Sequence, residues 1–210
     1  MSYETEEQQV EAIKRWWKEN GKMVVAGVVL ALAGVIGGRL WLDRVETRAQ
    51  AASMEYQQLL GELSAGNREA VIQRGSYLVD NYASTPYASL AALALAKVRA
   101  EAGEYPAARS RLEWVLERAE PSQYRTVARL RLARVHLAEG NAQLALNTLA
   151  EVTDQAFEAV LEELRGDVYV AMGNRAAART AYRKALEASA PGSDTRALQM
   201  KLDDLGDADA

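Results

Sequence analysis

Apolar residues run unbroken over 23–38, MVVAGVVLALAGVIGG, with no charge between Lys22 and Arg39. A helix crossing a bilayer needs about 17–25 mostly apolar residues. Leu40, Trp41 and Leu42 extend the run to 20 residues, because Arg39 lies one turn from its end and snorkels to the headgroups. Trp16 and Trp17 stand before the run and Trp41 at its end, where indoles favour the membrane interface. The pattern predicts a transmembrane helix over 23–42. A buried soluble helix is one rival. A cleaved signal peptide is the other, since Ala31-Leu32-Ala33 resembles a small-x-small cleavage site. The long arm before the run, and the apolar residues after that site, favour the anchor.

In the arm over 1–22, Val10, Ile13, Trp16 and Trp17 fall at helical spacing among Lys14, Arg15 and Lys18. This suits a short amphipathic helix on the cytoplasmic leaflet, with Asn20-Gly21 as its stop; a plain topogenic flank is the alternative. Lys14, Arg15, Lys18 and Lys22 on one side of the span against Arg39, Arg44 and Arg48 on the other give a weak charge bias. With a short arm and a long following segment, N-inside insertion is expected. That makes a single-pass, type II membrane protein whose residues 43–210 are exported.

Beyond residue 48 the pattern is helical throughout. Gly-Asn at 66–67, Gly-Glu at 103–104, Gly-Asn at 140–141 and Gly-Asn at 173–174 stand 37, 37 and 33 residues apart. A period near 34 with a glycine turn between two helices marks tetratricopeptide repeats. The clearest unit is 159–188, where small residues at Gly166 and Ala178 let paired helices approach and Tyr169 and Tyr182 fill the gaps. Units at 126–152 and 89–115 repeat the pattern, and 52–80 is degenerate. Helices are expected over 6–19, 22–64, 67–82, 86–102, 104–119, 122–139, 141–152, 154–172, 174–189 and 194–205. No Pro or Gly falls between Arg39 and Leu60, so the span is expected to run into the first repeat helix and hold the domain near the bilayer. The last helix, with Ala197, Leu198, Met200, Leu202 and Leu205 apolar and Asp203, Asp204, Asp207 and Asp209 acidic, is expected to cap the solenoid. The fold class is all-α: one N-terminal transmembrane helix, then a tetratricopeptide-repeat-like α-solenoid.

Composition narrows the function. Hydrophobic residues at 49% and charged residues at 26% exclude a disordered acidic tail. With 25 Lys+Arg against 29 Asp+Glu, the net charge of −4 argues against nucleic acid as a partner. The absence of Cys removes disulfides and thiol chemistry, and His136, the one histidine, removes any multi-histidine site. His136 is expected to be packed or hydrogen-bonded. Glu162-Glu163 and Asp203-Asp204 are adjacent on helices and do not face each other. No phosphate loop, nucleophile elbow or zinc-helix motif is present. No catalytic residue, cofactor or metal is therefore expected, and the chain reads as a non-enzyme.

Repeat solenoids bind through the groove lined by their first helices. Aligning the units on their glycines gives Leu90, Leu93 and Lys97, then Val127, Leu130 and Arg134, then Val160, Glu163 and Asp167. This mix suits a polypeptide, unless neighbouring helices or the C-terminal cap cover it. The third unit is rotated relative to the others, with Leu161, Leu164 and Val168 apolar and Arg165 where a Leu is expected. Arg109, Arg111, Arg118, Arg125, Arg129, Arg131 and Arg134 crowd two helices among Glu113, Glu117 and Glu120. They read as a solvated face with salt bridges to neighbouring helices, or as a patch for an acidic partner. Arg125 and Arg129 share a face, and Arg131 and Arg134 point elsewhere.

Several stretches resemble the bacterial YfgM family, the ancillary subunit of the SecYEG translocon. They are Gln9-Val10-Glu11-Ala12-Ile13-Lys14-Arg15, Glu19-Asn20-Gly21-Lys22, Leu130-Arg131-Leu132-Ala133-Arg134-Val135, Leu164-Arg165-Gly166 and Met200-Lys201-Leu202. The resemblance implies an inner-membrane protein beside the SecYEG translocon that works with the periplasmic chaperone PpiD and helps pass exported polypeptides to chaperones. It also implies a link to the Rcs stress response, through a cytoplasmic response regulator within reach of residues 1–20. A membrane-anchored scaffold for envelope complex assembly is the alternative on the same residues.

Overall fold

A computed structural model describes residues 6–206, and every regular element among them is helical. Asp207 and Asp209 of the acidic C-terminus, and residues 1–5 of the N-terminal arm, lie outside the described residues. The chain divides after Gln50 into two compact units.

The first unit is built on α1, which spans Glu6–Ser64. Of the described helices, this one is long and apolar enough to cross a membrane: an 18-residue stretch has mean hydropathy 2.1 and none of it is buried. Met23 and Leu30 are 74% and 72% exposed. A continuous apolar surface of this kind needs a partner other than water. The expected stop at Asn20-Gly21 does not occur. A glycine ends a helix by taking positive φ, and Gly21 is not among the glycines that do. Its missing side chain instead makes room for Trp17, whose ring would stand 3.2 Å from a Cβ placed there. Asn20 turns its amide back onto the Trp16 carbonyl at 3.1 Å, inside the helix.

The second unit contains the end of α1 and eight further helices: α2 (Arg68–Asn81), α3 (Pro86–Glu101), α4 (Tyr105–Arg118), α5 (Ser122–Ala138), α6 (Ala142–Ala150), α7 (Glu158–Ala171), α8 (Arg175–Ala188) and α9 (Arg196–Asp203). A 3-10 turn, Gln155–Phe157, opens the segment that was expected to be helical from 154. The four glycine turns all use one local design. Gly66, Gly103, Gly140 and Gly173 take φ of 72°, 74°, 80° and 75°, a region that costs a side chain about 1 kcal/mol or more. The next residue donates its N–H back to the helix just ended: Asn67 to Glu62, Glu104 to Arg99, Asn141 to His136 and Asn174 to Tyr169, at 2.8–3.0 Å. With the glycine's own N–H, which donates to Leu63, Ala100, Leu137 and Val170 in turn, two carbonyls that each helix end would leave bare are satisfied. Asn67 and Asn174 also start the following helix, their side chains accepting the N–H of Ala70 and Ala177. Glu104 uses its carboxylate differently, accepting from Arg68 of α2 and from Arg99 of α3. The Arg68 hydrogen bond, ahead of the Arg99 contact, holds that carboxyl below its ordinary pKa.

The core forms three successive clusters along the helices. Leu59, Leu78, Leu95, Leu112 and Val115 centre the first. Leu130, Leu149, Leu161, Leu164 and Val168 form the second, so the inward face of α7 is the one the third repeat's odd register implied. Tyr182, Ala185, Leu198 and Leu205 form the third. Glycine permits close approach at two points: a Cβ on Gly75 would meet Leu95 at 2.8 Å, and one on Gly166 would meet the Tyr182 ring at 2.2 Å.

Helix α9 closes the array with Leu198 and Leu205 buried and Leu202 half-buried. Ala197 and Met200 were expected on that apolar face and are exposed, Met200 at 61%. The physical reason is Lys201. It bonds Glu163 and Asp167 of α7, both at 2.8 Å, on the face of α9 that carries Leu198 and Leu202 inward, with Leu205 following just past the helix end.

Candidate peptide-binding cleft

The nine residues expected along the groove fall into four environments. Leu93 and Leu130, 5% and 3% exposed, belong to the first and second core clusters, so their side chains serve packing. Val127 packs half-buried against the first cluster, Leu90 is half-buried, and Val160 is exposed on its own. Glu163 and Asp167 are occupied by Lys201, and Asp167 also accepts the Tyr182 hydroxyl at 2.8 Å. The C-terminal helix thus engages Glu163 and Asp167 and leaves Val160 exposed. Lys97 and Arg134 are brought together, on opposite walls of one open cleft.

That cleft holds about 450 Å³ between α3, α4 and α5. Its apolar lining is Ala96 and Ala100 of α3, Leu112 of α4, and Val135 and Ala138 of α5, with Tyr105 at the start of α4; Ala96, Leu112 and Val135 lie buried beneath the others. Its charged rim is Lys97, Glu101, Arg131 and Arg134. The cavity exists because α3 is rich in alanine. Where a leucine would fill the space between first helices, Ala96 and Ala100 leave it open. A second cavity of about 250 Å³ adjoins it, sharing Lys97 and Glu101 and adding Leu63, Arg68 and Val71.

The arginines fall into three groups: ion-paired, stacked on an aromatic ring, and without a carboxylate within ion-pair distance among the described residues, the last including Arg111. Arg109 bonds Glu139 at 2.9 Å, Arg125 pairs with Glu120 at 3.1 Å and Arg129 with Glu151 at 3.2 Å. These are the salt bridges between neighbouring segments that the interleaved charges implied. Arg118 lies over the Trp114 ring at 5.4 Å. Arg131 and Arg134 behave otherwise. Among the described residues neither has a carboxylate within ion-pair distance. Arg131 donates instead to the backbone carbonyl of Leu93 at 2.8 Å. Burial, then the nearby charge of Arg134, lower its pKa, with Tyr56 acting in the opposite direction.

Arg131 is the residue that alignment on glycines missed. A signal was present: Arg131 and Arg134 are three apart, a spacing that shares a helix face. His136 is partly buried, with Nδ1 3.6 Å from Glu139. Glu162 and Glu163 do face apart, one toward Arg165 and the other toward Lys201. Among the described residues, no three His, Asp or Glu side chains gather to hold a metal ion.

Residues 14–207 match the family described as tetratricopeptide repeat-like domain. An ancillary SecYEG translocon subunit of Escherichia coli (strain K12) is 30% identical over 203 residues, covering 97% of this chain and 98% of its own length. The chain belongs to the ancillary SecYEG translocon subunit family. Relatives with the same description from Aggregatibacter actinomycetemcomitans, at 32%, and Haemophilus influenzae, at 30%, each cover 95% of this chain and 97% of their own. Membership takes in the apolar helix and the repeats together.

Proposed function

We propose that the chain is a non-enzymatic, single-span adaptor of the inner membrane that associates with the SecYEG translocon. In this reading residues 1–22 are cytoplasmic, 23–42 cross the bilayer and 43–210 are periplasmic. The repeat domain receives segments of exported polypeptides in the cleft between α3, α4 and α5 and helps pass them to a membrane-anchored chaperone of the PpiD type. The helical arm, reaching a cytoplasmic response regulator of the Rcs response through residues 1–20, adds a regulatory contact.

One observation carries the reading. Similarity to translocon subunits extends over 97% of the chain, so the apolar helix and the repeats occur in the same order in proteins named for this complex. An open cleft with an apolar floor and a charged rim is the kind of surface that holds an extended polypeptide without chemistry on it. The test is affinity purification of the tagged full-length chain from membranes in mild detergent. SecY, SecE and SecG should copurify with the wild type and be lost when 23–42 is replaced by an unrelated apolar span. Recovery of a different envelope complex without any translocon subunit contradicts the adaptor and favours a scaffold.

A further inference from the structure

Some arginines near the cleft in sequence hold a carboxylate partner, and the two on its rim do not. Arg109, Arg125 and Arg129 each have one, while Arg131 and Arg134, on the same stretch of chain, have none among the described residues. Arg131 is partly buried and lines the cleft together with Arg134, one helical turn further along α5. Placing two cations side by side at the mouth of a low-dielectric cleft is unfavourable unless an anion joins them. Lys97, on the opposite wall, has Glu101 as its nearest anion at 3.7 Å, a long and exposed pair one helical turn away. The cleft therefore carries a net positive rim over an aliphatic floor, on a chain whose net charge is −4. A polyanion such as nucleic acid would be repelled by the whole molecule, whereas a single carboxylate flanked by aliphatic side chains meets the local field and the floor together.

Resting on the adaptor reading above, we infer that the cleft is selective for extended polypeptide segments in which an Asp or Glu side chain stands next to aliphatic residues. The carboxylate lies between Arg131, Arg134 and Lys97, and the aliphatic neighbour enters the space left by Ala96 and Ala100. The adjoining cavity lined by Leu63, Arg68 and Val71 gives the peptide a path onward past Lys97. The recognised carboxylate is therefore an internal side chain and not a chain terminus.

The test uses the full-length chain in nanodiscs of neutral lipid and fluorescent ten-residue peptides alternating Leu with Asp, Asn or Lys, all amidated at the C-terminus. The Asp peptide should bind about tenfold more tightly than the Asn peptide, the range expected for hydrogen bonds to a charged group. R134Q should remove that preference, and R134E should transfer it to the Lys peptide. A100W, which fills the floor, should abolish binding of all three, and K184Q on exposed α8 should change nothing. Circular dichroism melts matching wild type show that R134Q and A100W are folded. Equal affinity for the Asp and Asn peptides, or an unchanged preference in R134Q, overturns the inference. So does a requirement for a free terminal carboxylate. If the Asp preference is absent while SecY still copurifies, this inference fails alone. If SecY is absent and the preference persists, the adaptor reading fails and the cleft's chemistry stands.

Discussion

Gly103 and Gly166 are both invisible as side chains, yet they do opposite jobs. Gly103 has open space around it and a φ of 74°, so a methyl group there meets no atom and strains only the backbone. Gly166 sits under the Tyr182 ring, where a Cβ would stand at 2.2 Å, so a methyl group must displace a nearly fully buried tyrosine. G103A is expected to cost about 1 kcal/mol, from the left-handed conformation alone. G166A is expected to cost about 2–3 kcal/mol, from overpacking. Urea denaturation of the two variants checks the order; equal losses would mean that the ring moves aside freely. Both glycines are legible in sequence, the first from its place before a helix-starting residue and the second from its pairing with Ala178 and Tyr182. The function of Gly21 was not legible. Asn-Gly spells a stop only if the glycine turns left-handed, and here the Trp17 ring occupies the space above it.

Single helices in this protein begin and end through two residues that serve both neighbours. The Asn174 side chain accepts the Ala177 N–H at 3.0 Å, whereas Asn141, in the equivalent position, makes no side-chain cap. N174A should therefore lose about 1 kcal/mol and N141A a few tenths, as read by the same urea midpoints. Similar losses would show that the backbone turn, common to both, does all the capping. Helix α9 has a different anchor. Burial pushes the Lys201 ammonium down, but the hydrogen bonds and charges of Asp167 and Glu163 outweigh it and its pKa is raised. Tyr182 is raised too, by burial first and then by its hydrogen bond to Asp167. Groups raised on folding hold their protons longer in the folded chain. Their stabilisation is full below the unfolded values, about 10 for both, and declines as pH climbs through the folded ones. The stability gap between wild type and K201M should be constant from about pH 6 to pH 9 and narrow above about pH 10. A gap that stays fixed into the alkaline range would show that Lys201 contributes through packing alone. The register of α9 was misread in sequence because Met200 and Leu202 are both apolar; the ion pairs of Lys201 decide which one faces inward.

At the level of the molecule, the repeat array was legible because each of its turns is local: a glycine, a polar residue after it, and a period near 34. The cleft was legible only in half. Lys97 and Arg134 follow from aligning the units, but their convergence depends on how α3, α4 and α5 pack, which the small side chains of Ala96 and Ala100 decide. Leu93 and Leu130 fell on the wrong side of the boundary for the same reason: one turn along a first helix separates groove from core, and the packing of the next hairpin sets where that boundary runs. Glu163 and Asp167 of the third repeat are taken up by α9, whose Lys201 comes from 38 and 34 residues away. On the proposed function, this cleft meets polypeptides as they leave the translocon. A photoreactive amino acid at position 100, in cells carrying a precursor arrested midway through export, tests it most directly. An adduct between the repeat domain and the arrested precursor is expected, and it should disappear when translocation is blocked at its start. An adduct of equal yield in both conditions, or none in either with the variant inserted and folded, would contradict it.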